Sequence, residues 1–229
     1  LLAVSALALS ACATSSSGGG GGSSASSAPV TVTLGYAQEF ASYNPNTTDG
    51  SALANSIVLG QVIRSFYYFT PDGTLTPDKT FGTYEKTADN PLTVKYTFSD
   101  KAKWSDGKPV DCDDAVLMWM ANSGITGDKG FEYASNAGFN DMAAPACKAG
   151  EKTFTVTYKT PFADWAGQFG GSTFFLPAHV IEQQTGMTKT FVDYANNPTS
   201  PELAKAIAFY NKSWNLNPGQ LKKDIMPSA

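Results

Sequence analysis

LTVKYTFSDKAKWSDGKPVDCDDAVLMWMAN, residues 92–122, decides the architecture. Its first seven residues alternate, with Leu92, Val94, Tyr96 and Phe98 on one face and Thr93, Lys95 and Thr97 on the other, which predicts a half-buried strand. Asp106-Gly107 marks a tight turn, and Asp111-Cys112-Asp113-Asp114 then opens a helix that runs through 115–122 (AVLMWMAN). Acidic residues at such a start accept hydrogen bonds from free backbone amides and favour the positive helix end. Three carboxylates so close also suit calcium, but they lack the alternation of an EF-hand loop, and capping is the simpler reading. Trp104 and Trp119 read as core.

Working outward, residues 153–159 (TFTVTYK) alternate in the same way, with Phe154, Val156 and Tyr158 on one face. They predict a second strand of the same sheet. Residues 30–36 (VTVTLGY) also alternate and predict a strand that opens the folded body. A loop rich in turn formers follows over 37–49, punctuated by Asn44-Pro45. Residues 51–66 carry Leu53, Ile57, Val58, Val62 and Phe66 at helical spacing, with Ser51 as the expected cap. Pro71-Asp72-Gly73 is a turn signature. The class expected is α/β in the mixed α+β sense, with roughly 200 residues after position 29, enough for a real core.

The chain begins with an apolar run, LLAVSALALSA, too short to cross a bilayer as a helix and suited to the core of a secretory signal. It ends in Leu9-Ser10-Ala11-Cys12. This resembles the lipobox of bacterial lipoproteins, in which the cysteine receives a lipid. Ala11-Cys12-Ala13 also fits ordinary signal cleavage. Residues 14–28 (TSSSGGGGGSSASSA) carry no charge and no large side chain, so they predict a flexible tether, and that favours lipidation of Cys12. Residues 1–12 are thus expected to be a signal and lipobox, 13–29 a linker, and 30–229 the body.

A net charge of −4 disfavours nucleic acid, which needs clustered Lys and Arg. With Cys12 set aside, Cys112 and Cys147 form an even pair, open to a bridge or to two buried thiols. The single histidine, His179, and two distant cysteines do not make a metal site, and no cofactor is indicated. There is neither a G-x-S-x-G elbow nor a phosphate-binding loop, since the 18–22 glycine run follows no strand and precedes no Lys. His179 reads as a helix-start residue. Asn46-Thr47-Thr48 and Asn211-Lys212-Ser213 fit glycosylation sequons by coincidence.

Taken in order, Tyr96-Thr97-Phe98, Trp104-Ser105-Asp106-Gly107-Lys108-Pro109-Val110 and Asp114-Ala115-Val116 resemble the signature of the peptide/nickel (family 5) solute-binding proteins of ABC importers. Thr160-Pro161-Phe162-Ala163-Asp164-Trp165 and Leu176-Pro177-Ala178-His179-Val180 resemble its next landmarks. The likeness is nearest to Gram-positive and actinobacterial oligopeptide-binding lipoproteins. It implies a periplasmic-binding-protein-like fold of two lobes (class II, cluster C) with a small extra domain. It also implies that this chain holds the start of lobe one, the extra domain and the return into lobe one, as an N-terminal fragment without lobe two. A Cys112–Cys147 disulfide is implied as well.

For function the resemblance implies a monomeric receptor that captures oligopeptides outside the cytoplasmic membrane, anchored to its outer face through Cys12. The receptor would deliver its ligand to permease and ATPase subunits, without being an enzyme. The loop after the first strand would face the ligand through Gln38, Glu39, Phe40 and Ala41, with Glu39 placed to pair with an amino group. Tyr43 would shape that loop, and Phe174 and Phe175 would line the cleft or pack in the core. The alternatives are another solute on the same fold (nickel chelate, haem, opine or oligosaccharide), or an exported hydrolase or adhesion protein.

Overall fold

The computed structural model describes residues 31–216 and 226–228. Cys12, the linker at 13–29 and Val30 lie outside them. The chain divides into two units, residues 1–35 and 36–229. Of the first unit only 31–35 are described, and they form no strand. Val32 and Leu34 are 75% and 87% exposed, which corrects the expectation for 30–36. Alternation makes a strand only where a neighbour supplies hydrogen bonds and a surface to bury, and no described residue pairs with this segment.

The second unit is built on a three-stranded antiparallel sheet, β3 (Gly82–Asp89), β4 (Leu92–Phe98) and β5 (Thr153–Thr157), in the order β3-β4-β5. The two strands expected from alternation are thus neighbours, with Tyr96 opposite Phe154. Those rings stack at 4.9 Å, and Phe66 lies edge-on to both Tyr96 and Phe154. Leu92, Val94, Tyr96 and Phe98 are all buried. β3 carries no comparable stripe, being mostly exposed, and it reaches the core at Gly82. A Cβ there would lie 2.5 Å from both the Phe66 ring and the Thr97 carbonyl oxygen. Ahead of the sheet, β1 (Tyr67–Phe69) and β2 (Leu75–Pro77) form a hairpin around Pro71-Asp72-Gly73.

Helix α2 (Cys112–Asn122) is central, and every residue in it is buried. It packs against α3 (Ala178–Thr185), α4 (Phe191–Tyr194) and β5, and α3 packs against α5 (Ala204–Lys212). Its start is a capping box: the Asp113 amide donates to Asp111 at 2.9 Å, and the Asp111 amide donates to Asp114 at 3.1 Å. The helix therefore begins three residues before the apolar run that predicted it. Capping is the role these acids have here.

Asp114 does more than cap. Its carboxylate is fully buried and accepts from the Trp104 indole N–H (3.1 Å) and from the Ala178 amide (2.9 Å). One side chain thus joins the Trp104 turn, the start of α2 and the start of α3. Burial pushes its pKa well up, while the three donors pull it down. Nearby, the Asp106 carboxylate meets His179 Nε2 at 2.7 Å, so His179 sits at a helix start in a satisfied contact. Lys152 donates to the Ala102 and Val110 carbonyls and closes the same region onto β5.

Cys112 and Cys147 are joined in a disulfide that spans 35 residues, a closure worth about 4 kcal/mol in the chain-entropy picture. It fastens the first residue of α2 to the segment that runs beside β5. The sequon asparagines are structural. Asn46 exchanges two hydrogen bonds with the Phe174 backbone, and Asn211 bridges Glu132 and Gly130. No helix of the described residues is long and apolar enough to cross a membrane.

Asp114→Asn turns one acceptor into a donor that faces a donor. Urea denaturation is expected to show a loss of about 2–3 kcal/mol with a retained far-UV spectrum.

Candidate functional site

Helix α1 (Leu53–Leu59) is shorter than the periodicity of 51–66 predicts, ending at Gly60. Its cap position is Ala52, which makes no side-chain cap, so Ser51 is not the cap. The helix also faces the other way. Ala54, Asn55 and Leu59 are buried, whereas Leu53, Ile57, Val58 and Val62 are 44–60% exposed. The reason is Asn55. Its Oδ1 accepts from the Ala41 and Ser42 amides at 2.8 and 3.2 Å, and its Nδ2 donates to the Gly50 carbonyl at 2.8 Å. Satisfying three backbone groups in the interior outweighs burying the apolar stripe.

The stripe therefore looks outward between two hollows. One, of about 380 Å³, is lined by Phe40, Tyr43, Val58, Val62 and Met226. The other, of about 930 Å³, is lined by Leu53, Ile57, Arg64, Tyr68, Phe69 and Phe174. An open apolar surface of this kind is a candidate binding surface.

Of the residues singled out from sequence, Phe40 and Tyr43 come together at the smaller hollow, ring to ring at 5.1 Å. Gln38 and Glu39 lie exposed just before them. Ala41 is exposed, but its backbone is spent: its amide is held by Asn55, and its carbonyl accepts from Leu216 at 2.8 Å. The Tyr43 amide donates to Trp214 at 3.0 Å. Before Ala41, Gln38 and Phe40 make no backbone hydrogen bond among the described residues.

Phe174 is buried and touches the larger hollow. Phe175 does not belong to the surface. It is fully buried against Phe66, Phe81 and Phe98. Asn55, Tyr68 and Phe69 were not found from sequence. Asn55 sits inside an apolar helical pattern, and Tyr68 and Phe69 resemble ordinary strand residues.

A separate acidic pair lies where α2, α3 and α4 meet. Asp113 accepts from the Val192 amide at 2.8 Å and faces Glu182, whose pKa is pushed up to about 9 by burial and by Asp113. Burial also raises the Asp113 pKa. Two carboxylates in so dry a place share a proton instead of both ionising. Among the described residues there is no grouping of His, Cys, Asp and Glu that could hold a metal ion.

No family model matches the chain. An uncharacterized lipoprotein of Mycobacterium tuberculosis is 35% identical over 186 residues, covering 80% of this chain and 32% of that protein. The oligopeptide-binding protein OppA of the same species is 29% identical over 167 residues, or 72% of this chain and 28% of that one. Among solved structures, the periplasmic EDTA-binding protein EppA superposes with a TM-score of 0.60 at 24% identity, over 72% of this chain and 29% of that one. An oligopeptide-binding protein of Thermus thermophilus, complexed with a pentapeptide, gives 0.50 at 16% identity, over 80% and 30%. The chain thus spans about a third of the length of the curated relatives it matches.

Two outcomes follow from this geometry. Between the ordinary glutamate value of 4.5 and about 9, the folded state keeps a proton at Glu182 that the unfolded state has lost. Stability contributed by this group is therefore full below the ordinary value and falls as pH rises through that window. Urea midpoints measured from pH 5 to 9 should decline, and Glu182→Gln should flatten the decline. Asn55→Ala should speed hydrogen exchange at the Ala41 and Ser42 amides about tenfold or more, while amides of β4 remain protected.

Proposed function

We propose that this chain, which belongs to the oligopeptide/nickel-type (family 5) solute-binding proteins, is part of an extracytoplasmic receptor that captures short peptides for an ABC importer. The receptor binds its solute without changing it, and permease and ATPase subunits do the transport. A lipid on Cys12 holds it to the outer face of the cytoplasmic membrane, and the Ser/Gly run lets the body move away from that face.

The observation that carries this reading is the 38–40 segment, with Gln38 and Glu39 exposed and Phe40 half-buried, beside the apolar stripe of α1. An extended peptide can pair with backbone groups there, as in strand addition, while its side chains settle against Phe40 and Tyr43. The apolar lining accepts varied side chains, which suits capture of many sequences. Glu39, which is exposed, is the carboxylate this reading assigns to the ligand's amino group. The likeness to a protein named oligopeptide-binding supports peptide as a solute.

Calorimetric titration of the complete protein with peptides of three to eight residues tests the reading. Binding in the micromolar range or tighter is expected, weakened about tenfold, or ~1.4 kcal/mol, by Glu39→Gln. No peptide binding, together with tight binding of a sugar or metal chelate, would overturn it.

A further inference from the structure

A third hollow, of about 580 Å³, lies beside the β1–β2 hairpin and is unlike the other two. Its walls carry Arg64, Lys79, Lys101 and Lys103, and no acidic side chain lines it. Lys79, Lys101 and Lys103 make no ion pair or side-chain hydrogen bond among the described residues. The Arg64 guanidinium is oriented through one nitrogen, Nη1, which donates to Asp78 and Thr80. Its Nη2 and Nε have no protein partner among the described residues. The Ser99 hydroxyl accepts from the Lys101 amide and retains its own proton to give. Phe81 and Ala102 form the apolar floor.

The acids adjoining the hollow are Asp78, already committed to Arg64 and Thr80, and Asp100 in the same turn as Lys101. Four positive groups thus stand against two negative ones, in a chain whose net charge is −4. Like charges do not gather against the sign of the whole molecule without cost, and the cost is recovered when an anion sits among them. A single carboxylate offers one charge and two oxygens. A phosphoryl group offers three oxygens and up to two charges, matching a fixed guanidinium fork with ammonium groups around it.

We propose that this groove binds the phosphoryl group of an anionic ligand, either the headgroup of an anionic phospholipid or a soluble phosphate compound. Arg64 sets the orientation, and Lys79, Lys101 and Lys103 supply the charge. The groove shares Arg64 with the larger hollow beside α1, whereas Lys79, Lys101 and Lys103 line the groove and neither of the hollows beside α1.

Two probes separate the sources. The complete chain is sedimented with phosphatidylglycerol vesicles and with phosphatidylcholine vesicles, and it is titrated with inorganic pyrophosphate by calorimetry, all in 0.1 M salt. The variant K79Q/K101Q/K103Q is compared with K95Q/K148Q/K205Q, which removes the same charge from exposed lysines elsewhere. All six positions are exposed, and unchanged melting temperatures will show that both variants fold. Affinity for at least one anionic probe should fall about tenfold or more in the first variant and less than twofold in the second. A loss confined to vesicles assigns the site to lipid, and a loss confined to pyrophosphate assigns it to a soluble phosphate. Absence of binding to either probe, or equal losses in both variants, would overturn the proposal.

Discussion

The buried carboxylate of Asp114 is the constraint on which the rest of the fold depends. A carboxyl group buried in the interior is costly, and only several well-aimed donors make it tolerable. Here the donors come from three places: the Asp111 amide at the start of α2, the Trp104 indole and the Ala178 amide at the start of α3. Each donor would itself be orphaned without Asp114, so the arrangement is reciprocal. It sets the angle at which the turn after β4 meets the central helix, and the place where α3 begins. The disulfide at Cys112 and the Lys152 contacts then fasten the same helix start to β5.

A second buried polar group sets the opposite face. Asn55 holds the backbone of Ala41, Ser42 and Gly50, and to do so it turns α1 so that its apolar stripe points out. Asparagine recurs in this part of the chain. Asn44 donates to Tyr210, and Asn46 clamps Phe174. Amide side chains here do what strand partners do elsewhere, giving the 41–50 loop a fixed course through the interior. Rigid support of this kind suits a segment that must present a binding surface.

What could be read from sequence followed the range of the forces involved. β4, β5 and the capped start of α2 were legible, because alternation and capping are written in adjacent residues. The Trp104 and Trp119 positions and the Cys112–Cys147 bridge also agree with expectation. The orientation of α1 was not legible, since it depends on Asn55 meeting a loop 13 and 14 residues away. Residues 31–36 have the pattern of a strand but no described partner, and pattern alone does not supply one. For the candidate site, the contact between the Phe40 and Tyr43 rings was not foreseen from sequence. Phe175 went to the core, because a ring cluster around Phe66 had room for it and the surface had no hold on it.

The most direct test of Asp114 as the organising group is native-state hydrogen exchange at its two backbone donors, the Asp111 and Ala178 amides. If the carboxylate ties the elements together, both amides exchange only through global unfolding, with the same free energy as the amides of β4. Faster exchange at either amide, through local opening that leaves β4 protected, would contradict it.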